Sequence, residues 1–233
     1  MQVISVINQK GGVGKTTTVI NLAAGLSQLN KKILVIDLDP QGNATTGLGL
    51  SNLDNSSDTI YGVLNGTKEI ETVIKKTKFE NLDIITSNVD LSGLEVETAD
   101  DSNRAFILKS KLAAYLNNYR GTYDYVLVDC PPSLSLLTVM ALVSSNSLLV
   151  PLQTEFFALE GLTQLMKTIE RIKNNLNPAL TIKGILLTMY DKRNKLSSQV
   201  EKEARQYFQD KVYQTVVPRN VRLSEAPSHG VPV

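Results

Sequence analysis

The chain has 233 residues, of which 42% are hydrophobic and 20% are charged, a balance that suits one globular α/β domain with a substantial core. The 24 Lys and Arg residues against 23 Asp and Glu residues give a net charge of +1, so the chain as a whole shows no excess charge for a nucleic acid or a membrane. The single cysteine, Cys130, excludes an intrachain disulfide and a four-thiolate metal cluster within one subunit.

Short β-branched and apolar runs predict seven strands, and their continuous apolar character favours burial on both faces of a largely parallel sheet. The predicted strands are Val3 to Ile7, Ile33 to Asp37, Leu82 to Thr86, Tyr125 to Asp129, Ser147 to Leu152, Ile182 to Met189 and Val212 to Val217. Helical patterns lie between them, at Thr16 to Leu29, Arg104 to Tyr119, Ser133 to Val143, Leu159 to Leu176 and Ser197 to Phe208. This alternation predicts an α/β fold with a doubly wound, mostly parallel sheet.

One polar segment interrupts the alternation. Residues 42–58 are rich in Gly, Asn, Ser and Thr and follow directly after the second predicted strand. A polar loop of this length at a strand end is typical of a functional segment, and we expect it to act as a mobile switch. The sequence contains no internal repeat or low-complexity linker, so we expect one domain over residues 1–233.

A glycine-rich loop follows the first predicted strand. Residues Lys10 to Thr17 read KGGVGKTT and lead into the first predicted helix. We expect Gly11, Gly12 and Gly14 to adopt conformations that a Cβ atom would prevent, so that successive N–H groups converge on phosphate oxygens. A loop of this composition between a strand and a helix predicts a P-loop.

Two lysines lie in this loop. Lys15 supplies a positive charge for phosphates, and Thr16 supplies a hydroxyl that can complete the coordination of Mg²⁺. The usual GxxxxGK[ST] pattern has Gly at position 9, whereas this chain has Gln9 followed by an additional lysine, Lys10. The loop does not need a second lysine for its own nucleotide, so we expect Lys10 to act on another one.

Acidic residues end two predicted strands, at the edge where open α/β sheets bind ligands. Asp129 ends the fourth strand and fits the Walker B position, whose carboxylate holds Mg²⁺ directly or through water. Asp39 lies two residues beyond Asp37, on the same side of an extended chain, and we expect it to orient the attacking water. A purely structural role, as the cap of a following turn or helix, is the alternative for each acid and weighs more for Asp37 than for Asp129.

Five motifs resemble the ParA (Soj-like) partition ATPases, within the MinD/ParA group of deviant Walker A proteins. They are KGGVGKTT, DLDPQGNATTGLG, DCPPS, FFALEGL and PRNVRLSEAPSHG, in the family's order and over nearly all of the chain. The resemblance implies a P-loop NTPase that binds ATP and Mg²⁺ and dimerises with two nucleotides between its subunits. The family usually continues through a further segment that ends in a helix, so this chain is expected to be naturally short or to be a truncated piece.

The resemblance also implies individual roles. Lys10 matches the signature lysine that crosses to the partner's phosphates, Lys15 and Thr16 match the P-loop lysine and the Mg²⁺ ligand, and Asp39 and Asp129 match the switch I and switch II acids near the metal. The VPRN stretch that contains Pro218 lies near adenine in the family, although a simple exit from the last strand is the alternative. The implied nucleotide-binding set is Lys10, Gly11, Gly12, Val13, Gly14, Lys15, Thr16, Thr17, Asp129, Pro218 and Asn220.

Positive charge is concentrated in residues 183–222, where nine Lys and Arg residues face four acids, for a local charge of +5. Such an asymmetry attracts polyanions through phosphate contacts that carry no sequence preference, while a solvated charged face is the alternative from charge alone. In the family, Arg193 and Arg222 match arginines that bind non-specific DNA when the dimer forms. The predicted DNA-binding set is Arg193, Arg219, Arg222, Lys192 and Lys195.

The resemblance implies a partition cycle in which a ParB (Spo0J-like) centromere-binding protein stimulates hydrolysis by a DNA-bound dimer, for a chromosome or plasmid cargo. We expect a cytoplasmic protein, since no apolar run is long enough to span a bilayer, and the resemblance implies association with the nucleoid. A MinD-like membrane-cycling ATPase is the alternative, but it needs a C-terminal amphipathic helix, which the sequence does not predict. A carrier related to the nitrogenase iron protein would need cysteine ligands beyond Cys130.

Overall fold

The computed structural model describes residues 1–50 and 57–233, which form an eight-stranded sheet flanked by helices. The strands are β1 (Gln2–Val6), β2 (Ile33–Asp37), β3 (Ile74–Lys76), β4 (Leu82–Ile85), β5 (Tyr125–Asp129), β6 (Ser147–Gln153), β7 (Thr181–Tyr190) and β8 (Val212–Pro218). The helices are α1 (Lys15–Gln28), α2 (Asn43–Gly47), α3 (Ile60–Leu64), α4 (Ile70–Val73), α5 (Leu94–Glu97), α6 (Ile107–Asn118), α7 (Leu136–Ser144), α8 (Ala158–Asn175), α9 (Lys195–Phe208) and α10 (Val221–Glu225).

The order of the strands explains where a ligand can bind. The sheet runs β3-β4-β2-β5-β1-β6-β7-β8, and every neighbouring pair is parallel except β3 with β4. From β1 the chain first builds the β2 side of the sheet and later the β6 side, so the carboxyl end of β1 is a topological switch point. The predicted doubly wound, mostly parallel α/β fold is confirmed.

Strand β2 shows how alternating side chains create two cores. Ile33 and Val35 pack on the α1 face, whereas Leu34 and Ile36 pack on the opposite face against α6 and α7. All four side chains are fully buried, because successive residues of a strand point to opposite faces and both faces are covered. Helix α8 likewise buries one stripe at the 3.6-residue helical period, formed by Leu162, Leu165, Ile169 and Ile172.

The structure differs from the predicted elements where the sequence pattern is short. Strand β3 was not predicted, because three residues at an edge are too few for a recognisable period. The helix predicted from Ser133 begins at Leu136, and the one predicted from Ser197 begins at Lys195, where the Asn194 side chain accepts a hydrogen bond from Leu196 N. The predicted switch segment contains α2, and its residues 51–56 lie outside the described residues.

The two faces of the sheet are covered unequally in the described ranges. Helices α6 to α9 pack on one face, while on the α1 face an open groove of about 470 Å³ lies beside β7 and β8. Its walls include the apolar side chains of Ile4, Leu22, Leu26, Leu149, Leu186 and Val217. None of the helices described is both long enough and apolar enough to cross a bilayer.

The turn between α8 and β7 depends on one buried amide. The Nδ2 atom of Asn177 lies 2.8–3.2 Å from the carbonyl oxygens of Leu142, Val143 and Ser145 at the end of α7. The side chain therefore joins α7 to the start of β7 and supplies donors to carbonyls that the end of a helix leaves unpaired.

We expect Asn177→Ala to lower the free energy of unfolding by about 1–3 kcal/mol, because it leaves buried carbonyl oxygens without a donor. Urea unfolding followed by circular dichroism measures the change. The matched control is Asn175→Ala, which removes an exposed amide bonded to Arg171 O and is expected to change stability by less than about 0.5 kcal/mol. Equal losses in both variants would contradict the role of Asn177.

Candidate nucleotide-binding site

The glycine-rich loop joins β1 to α1 at the switch point. Gly12 and Gly14 have φ values of 73° and 90°, in the left-handed region that disfavours a Cβ atom. Gly11 lies outside that region, and a Cβ atom placed there would lie 3.8 Å from Pro132 Cβ, which is ordinary contact. The expectation that all three glycines serve the loop's own conformation is therefore wrong for Gly11.

Neighbouring strands hold the loop in place. Asn8 Nδ2 donates to Pro151 O in β6 at 2.7 Å, and Asn8 Oδ1 accepts from Lys10 N at 3.0 Å. From β7, Thr188 Oγ1 donates to Val13 O at 2.8 Å. Sequence reasoning missed Asn8 and Thr188. Single polar residues are common at strand ends, and the position at a strand end is the one feature of the sequence that could have pointed to these two.

Lys15 is the buried lysine of the loop. It begins α1, and its Nζ atom donates to Lys10 O at 3.0 Å. Burial lowers the pKa of Lys15, while the carboxylate of Asp129 acts in the opposite direction. A buried ammonium beside a ring of loop N–H groups provides the positive charge that phosphate oxygens require.

Asp129 is fully buried at the end of β5. Burial, followed by repulsion from Asp37, raises the pKa of Asp129 well above its usual value, and the nearby Thr16 hydroxyl opposes this shift. Within the described residues, neither carboxylate oxygen of Asp129 has a hydrogen-bond partner of good geometry. Two buried, unpaired carboxylate oxygens beside a hydroxyl fit a Mg²⁺ ion that takes its other ligands from phosphate and water.

Asp37 and Asp39 occupy different environments. Asp37 pairs across the sheet with Asp129, and its Oδ2 atom accepts from Thr45 N at 2.8 Å and from Thr45 Oγ1 at 2.7 Å. Burial raises the pKa of Asp37 to about 6. These bonds give Asp37 the structural role considered above, because they fix α2 against the end of β2.

Asp39 is buried, accepts from Gln41 N at 3.0 Å and lies close enough to Lys15 and Asp129 to affect the pKa of both.

Lys10 lies apart from the buried lysine. Its Nζ atom forms an ion pair with Glu155, which follows β6, and 52% of its side chain is exposed. The loop therefore contains one lysine buried beneath it and one at the surface. Glu155 was not predicted as a site residue, although it directly precedes the FFALEGL motif.

A cavity of about 220 Å³ continues from the loop toward β8. It is lined by Gly14 and Thr17 together with the predicted residues Pro218 and Asn220, so the structure brings these two motifs together. Asn220 also caps α10, since its Oδ1 atom accepts from Arg222 N at 2.9 Å. Arg219 lines the same cavity, so a place in the nucleotide site competes with its predicted contact to DNA.

The other predicted DNA-binding residues lie at the surface, in the turn before α9, at the first residue of α9 and in α10. Arg193 is paired with Asp191 through two N–O contacts of 3.1 Å, which offsets part of its charge. In the part of the chain that the structure describes, no acidic side chain forms a salt bridge with Lys192, Lys195 or Arg222. These three side chains are therefore open to an anionic partner.

Known proteins resemble this chain over its whole length. A family profile described as an AAA domain matches residues 1–182. The chain is 52% identical over 233 residues to the chromosome partitioning protein ParA of Caulobacter vibrioides, covering 100% of this chain and 86% of that protein. It is 49% identical over 232 residues to the sporulation initiation inhibitor protein Soj of Bacillus subtilis, covering 100% and 90%.

A solved structure with a similar fold is the cobyrinic acid a,c-diamide synthase of Mycobacterium smegmatis with bound ATP analogue and magnesium. The TM-score is 0.86 at 34% identity, over 99% of this chain and 91% of that one. The P-loop at the switch point, the buried Lys15 and the acid-tipped strand β5 are the parts that an ATP- and Mg²⁺-dependent hydrolase requires. With identities near one half to curated partition proteins, the chain belongs to the ParA/Soj family of chromosome-partitioning ATPases.

Proposed function

We propose that the protein forms a homodimer with Mg-ATP, that this dimer binds DNA without sequence preference, and that partner-stimulated hydrolysis releases it. The observation that carries the proposal is the separation of the two loop lysines. Lys15 is buried beneath its own loop, whereas Lys10 lies at the surface beside Glu155. A surface lysine next to a phosphate loop that already has its own cation is suited to the nucleotide of a second subunit.

The proposed roles of the individual residues follow from phosphoryl-transfer chemistry, which depends on the positioning of the reactants and on cations near the transferred group. Thr16 and Asp129 would hold Mg²⁺, with Asp39 beside them, and Mg²⁺ when bound offsets charge on the β- and γ-phosphate oxygens. Asp39 would orient the attacking water. Lys10 from the second subunit would add positive charge at the γ-phosphate, an effect worth about 10³–10⁵ in rate when a partner supplies it.

The nucleotide would contact the loop residues Lys10 to Thr17, the metal ligands and the base cavity that contains Pro218 and Asn220. That residues 1–233 form one domain stays a prediction. The proposed location is the nucleoid in the cytoplasm, and the proposed partner is a ParB-like centromere-binding protein. The cargo is either a chromosome or a plasmid.

Gly11→Val tests the dimer. We expect this variant to bind ATP as a monomer, because the protomer itself tolerates a Cβ atom at position 11 while a closely apposed second subunit would not. Sedimentation velocity with a non-hydrolysable ATP analogue measures the oligomer, and a fluorescent analogue measures nucleotide affinity.

Gly12→Val is the matched control within the same loop. Its left-handed φ of 73° makes a β-branched side chain costly, so we expect loss of nucleotide binding itself. Dimer formation by Gly11→Val at saturating nucleotide would refute the proposed contact at position 11.

Asp39→Ala tests the catalytic acid. We expect hydrolysis to fall about 100-fold or more while an ATP-bound dimer accumulates, because binding is retained and activation of water is lost. Phosphate release and sedimentation measure the two effects. The control is Asp100→Ala, which removes an exposed carboxylate away from the strand ends. Normal turnover in Asp39→Ala would remove Asp39 from the catalytic role.

The proposed DNA surface rests on the basic residues around α9 and α10. We expect Arg222→Ala to weaken binding equally on unrelated DNA sequences. We also expect it to reduce the slope of log affinity against log salt concentration by about one for each phosphate that the arginine neutralises. Fluorescence anisotropy at several salt concentrations gives both quantities. Lys109→Ala, an exposed lysine of α6, serves as the control, and an unchanged salt slope in Arg222→Ala would argue against contact with DNA.

The MinD-like alternative makes a different prediction from the same nucleotide cycle. Co-sedimentation with DNA only in the presence of ATP would support the partition proposal. Flotation with anionic phospholipid vesicles, without DNA binding, would contradict it and favour a membrane-cycling protein.

A further inference from the structure

Two helical turns beside the nucleotide site end against each other, backbone to backbone. Helix α2 is followed by Gly49, with a φ of 84°, and the 3₁₀ turn Ala226–His229 is followed by Gly230, with a φ of 61°. Each glycine N–H donates to the carbonyl oxygen three residues earlier, at 2.9 Å and 3.0 Å. Left-handed glycines that close a helical turn in this way leave no side chain between the two ends.

The contact between Gly49 and Gly230 has no room for a side chain. A Cβ atom added at Gly230, which is buried, would lie 2.7 Å from Gly49 Cα and 3.1 Å from Gly49 N. Carbon atoms in ordinary contact are about 3.5–4.0 Å apart, so a side chain at this position would push the end of α2 away by about 1 Å. The obstructing atoms belong to the backbone, so no change of rotamer relieves the overlap.

The segment that ends in Gly230 also forms part of the base cavity. Pro227 lines that cavity together with Asn220. Pro227 also packs on α2, since a Cβ atom added at Gly47 would lie 3.8 Å from Pro227 Cβ. One short segment therefore faces the base cavity on one side and the end of α2 on the other.

Helix α2 connects this contact to Asp39. Gly42 N, at the start of the helix, donates to Asp39 O at 2.9 Å, and Thr46 N donates to Gly42 O at 3.0 Å. Leu48 N continues the ladder to Ala44 O at 3.0 Å. A close-packed turn of helix held by these bonds moves as one body, so a shift at its carboxyl end reaches Asp39 at its amino end.

We propose that the contact between Gly49 and Gly230 couples occupation of the base cavity to the position of Asp39, which makes Gly230 a positioning residue for hydrolysis. The inference rests on the proposed function, since it takes the base site and the role of Asp39 from there. It adds a route by which the base, as well as the triphosphate, sets the position of the acid that orients water. A ligand without a base would fill the phosphate loop and leave this route unused.

The first test uses the wild-type protein and two ligands that differ in the base. Mg-ADP would fill the loop and the base cavity, whereas Mg-pyrophosphate would fill the loop alone, and neither carries a γ-phosphate. Hydrogen exchange of the backbone amides of residues 43–50, followed by mass spectrometry, reports how firmly α2 is held. We expect saturating ADP to slow this exchange at least about 5-fold and pyrophosphate to leave it unchanged. Equal effects of the two ligands, or no effect of ADP, would overturn the inference.

The second test is Gly230→Ala. We expect its kcat for ATP to fall about 10- to 100-fold, because a displacement of about 1 Å in a positioning element costs up to about 100-fold in rate. The affinity for a fluorescent ADP analogue is expected to change less than about 3-fold, since the loop and the cavity walls are kept. The slowing of exchange that ADP causes in residues 43–50 is expected to disappear.

Gly121→Ala is the matched control. Gly121 has a φ of 79°, so alanine strains the backbone there as it does at Gly230, but no described atom beyond its chain neighbours would lie within 4 Å of the added Cβ. We expect normal turnover and a normal response to ADP from this variant. A kcat lowered equally in both variants would show that backbone strain alone is responsible and would overturn the inference.

The remaining outcomes separate this inference from the proposed function. Normal turnover in Gly230→Ala would overturn the inference, as would a loss of ADP affinity in step with kcat, which indicates a damaged binding site. If Gly230→Ala does not fold, the comparison of ADP with pyrophosphate in the wild-type protein decides. Normal turnover in Asp39→Ala would instead contradict the proposed function.

Discussion

The burial of opposite charges at the ends of neighbouring strands is the constraint on which the site depends. Lys15, after β1, lies near Asp129 at the end of β5, and Asp129 pairs with Asp37 at the end of β2. Burial raises the pKa of both acids, and repulsion from Asp37 adds to the shift at Asp129, which the buried ammonium of Lys15 partly offsets. The sheet order β2-β5-β1 is what brings the three together.

The surrounding hydrogen bonds explain what holds these three side chains in position. Asp37 is satisfied by Thr45, whose hydroxyl in turn accepts from Ser87 N at 3.0 Å, so the ends of β2 and β4 are linked through α2. On the other side, Asn8 and Thr188 tie the loop to β6 and β7. The site is therefore supported from both halves of the doubly wound sheet, and Asp39 lies on the segment that joins β2 to α2.

The sequence predicted the parts of the molecule that follow strong periodicity or a specific motif. The parallel strands, the long helices and the loop from Lys10 to Thr17 belong to this class, because apolar period and glycine spacing are local properties. Strand β3 and the short helices were missed, since their stability comes from packing against distant residues rather than from their own pattern. Asn8, Thr188 and Glu155 were missed for a related reason, because their partners lie more than 140 positions away in the chain. Gly11 shows the converse, since the motif predicted a conformation closed to a Cβ atom, whereas its φ lies outside the left-handed region and a Cβ atom there would make only ordinary contact.

The uneven covering of the sheet has a practical consequence. The groove of about 470 Å³ on the α1 face leaves Leu22, Leu26 and Leu186 only partly buried while the protein is folded. Environment-sensitive dyes that fluoresce on apolar surfaces would bind there before any unfolding occurs. Melting curves recorded with such dyes would start from a high fluorescence baseline. Intrinsic tyrosine fluorescence and calorimetry use no dye, so the groove would not raise their baselines.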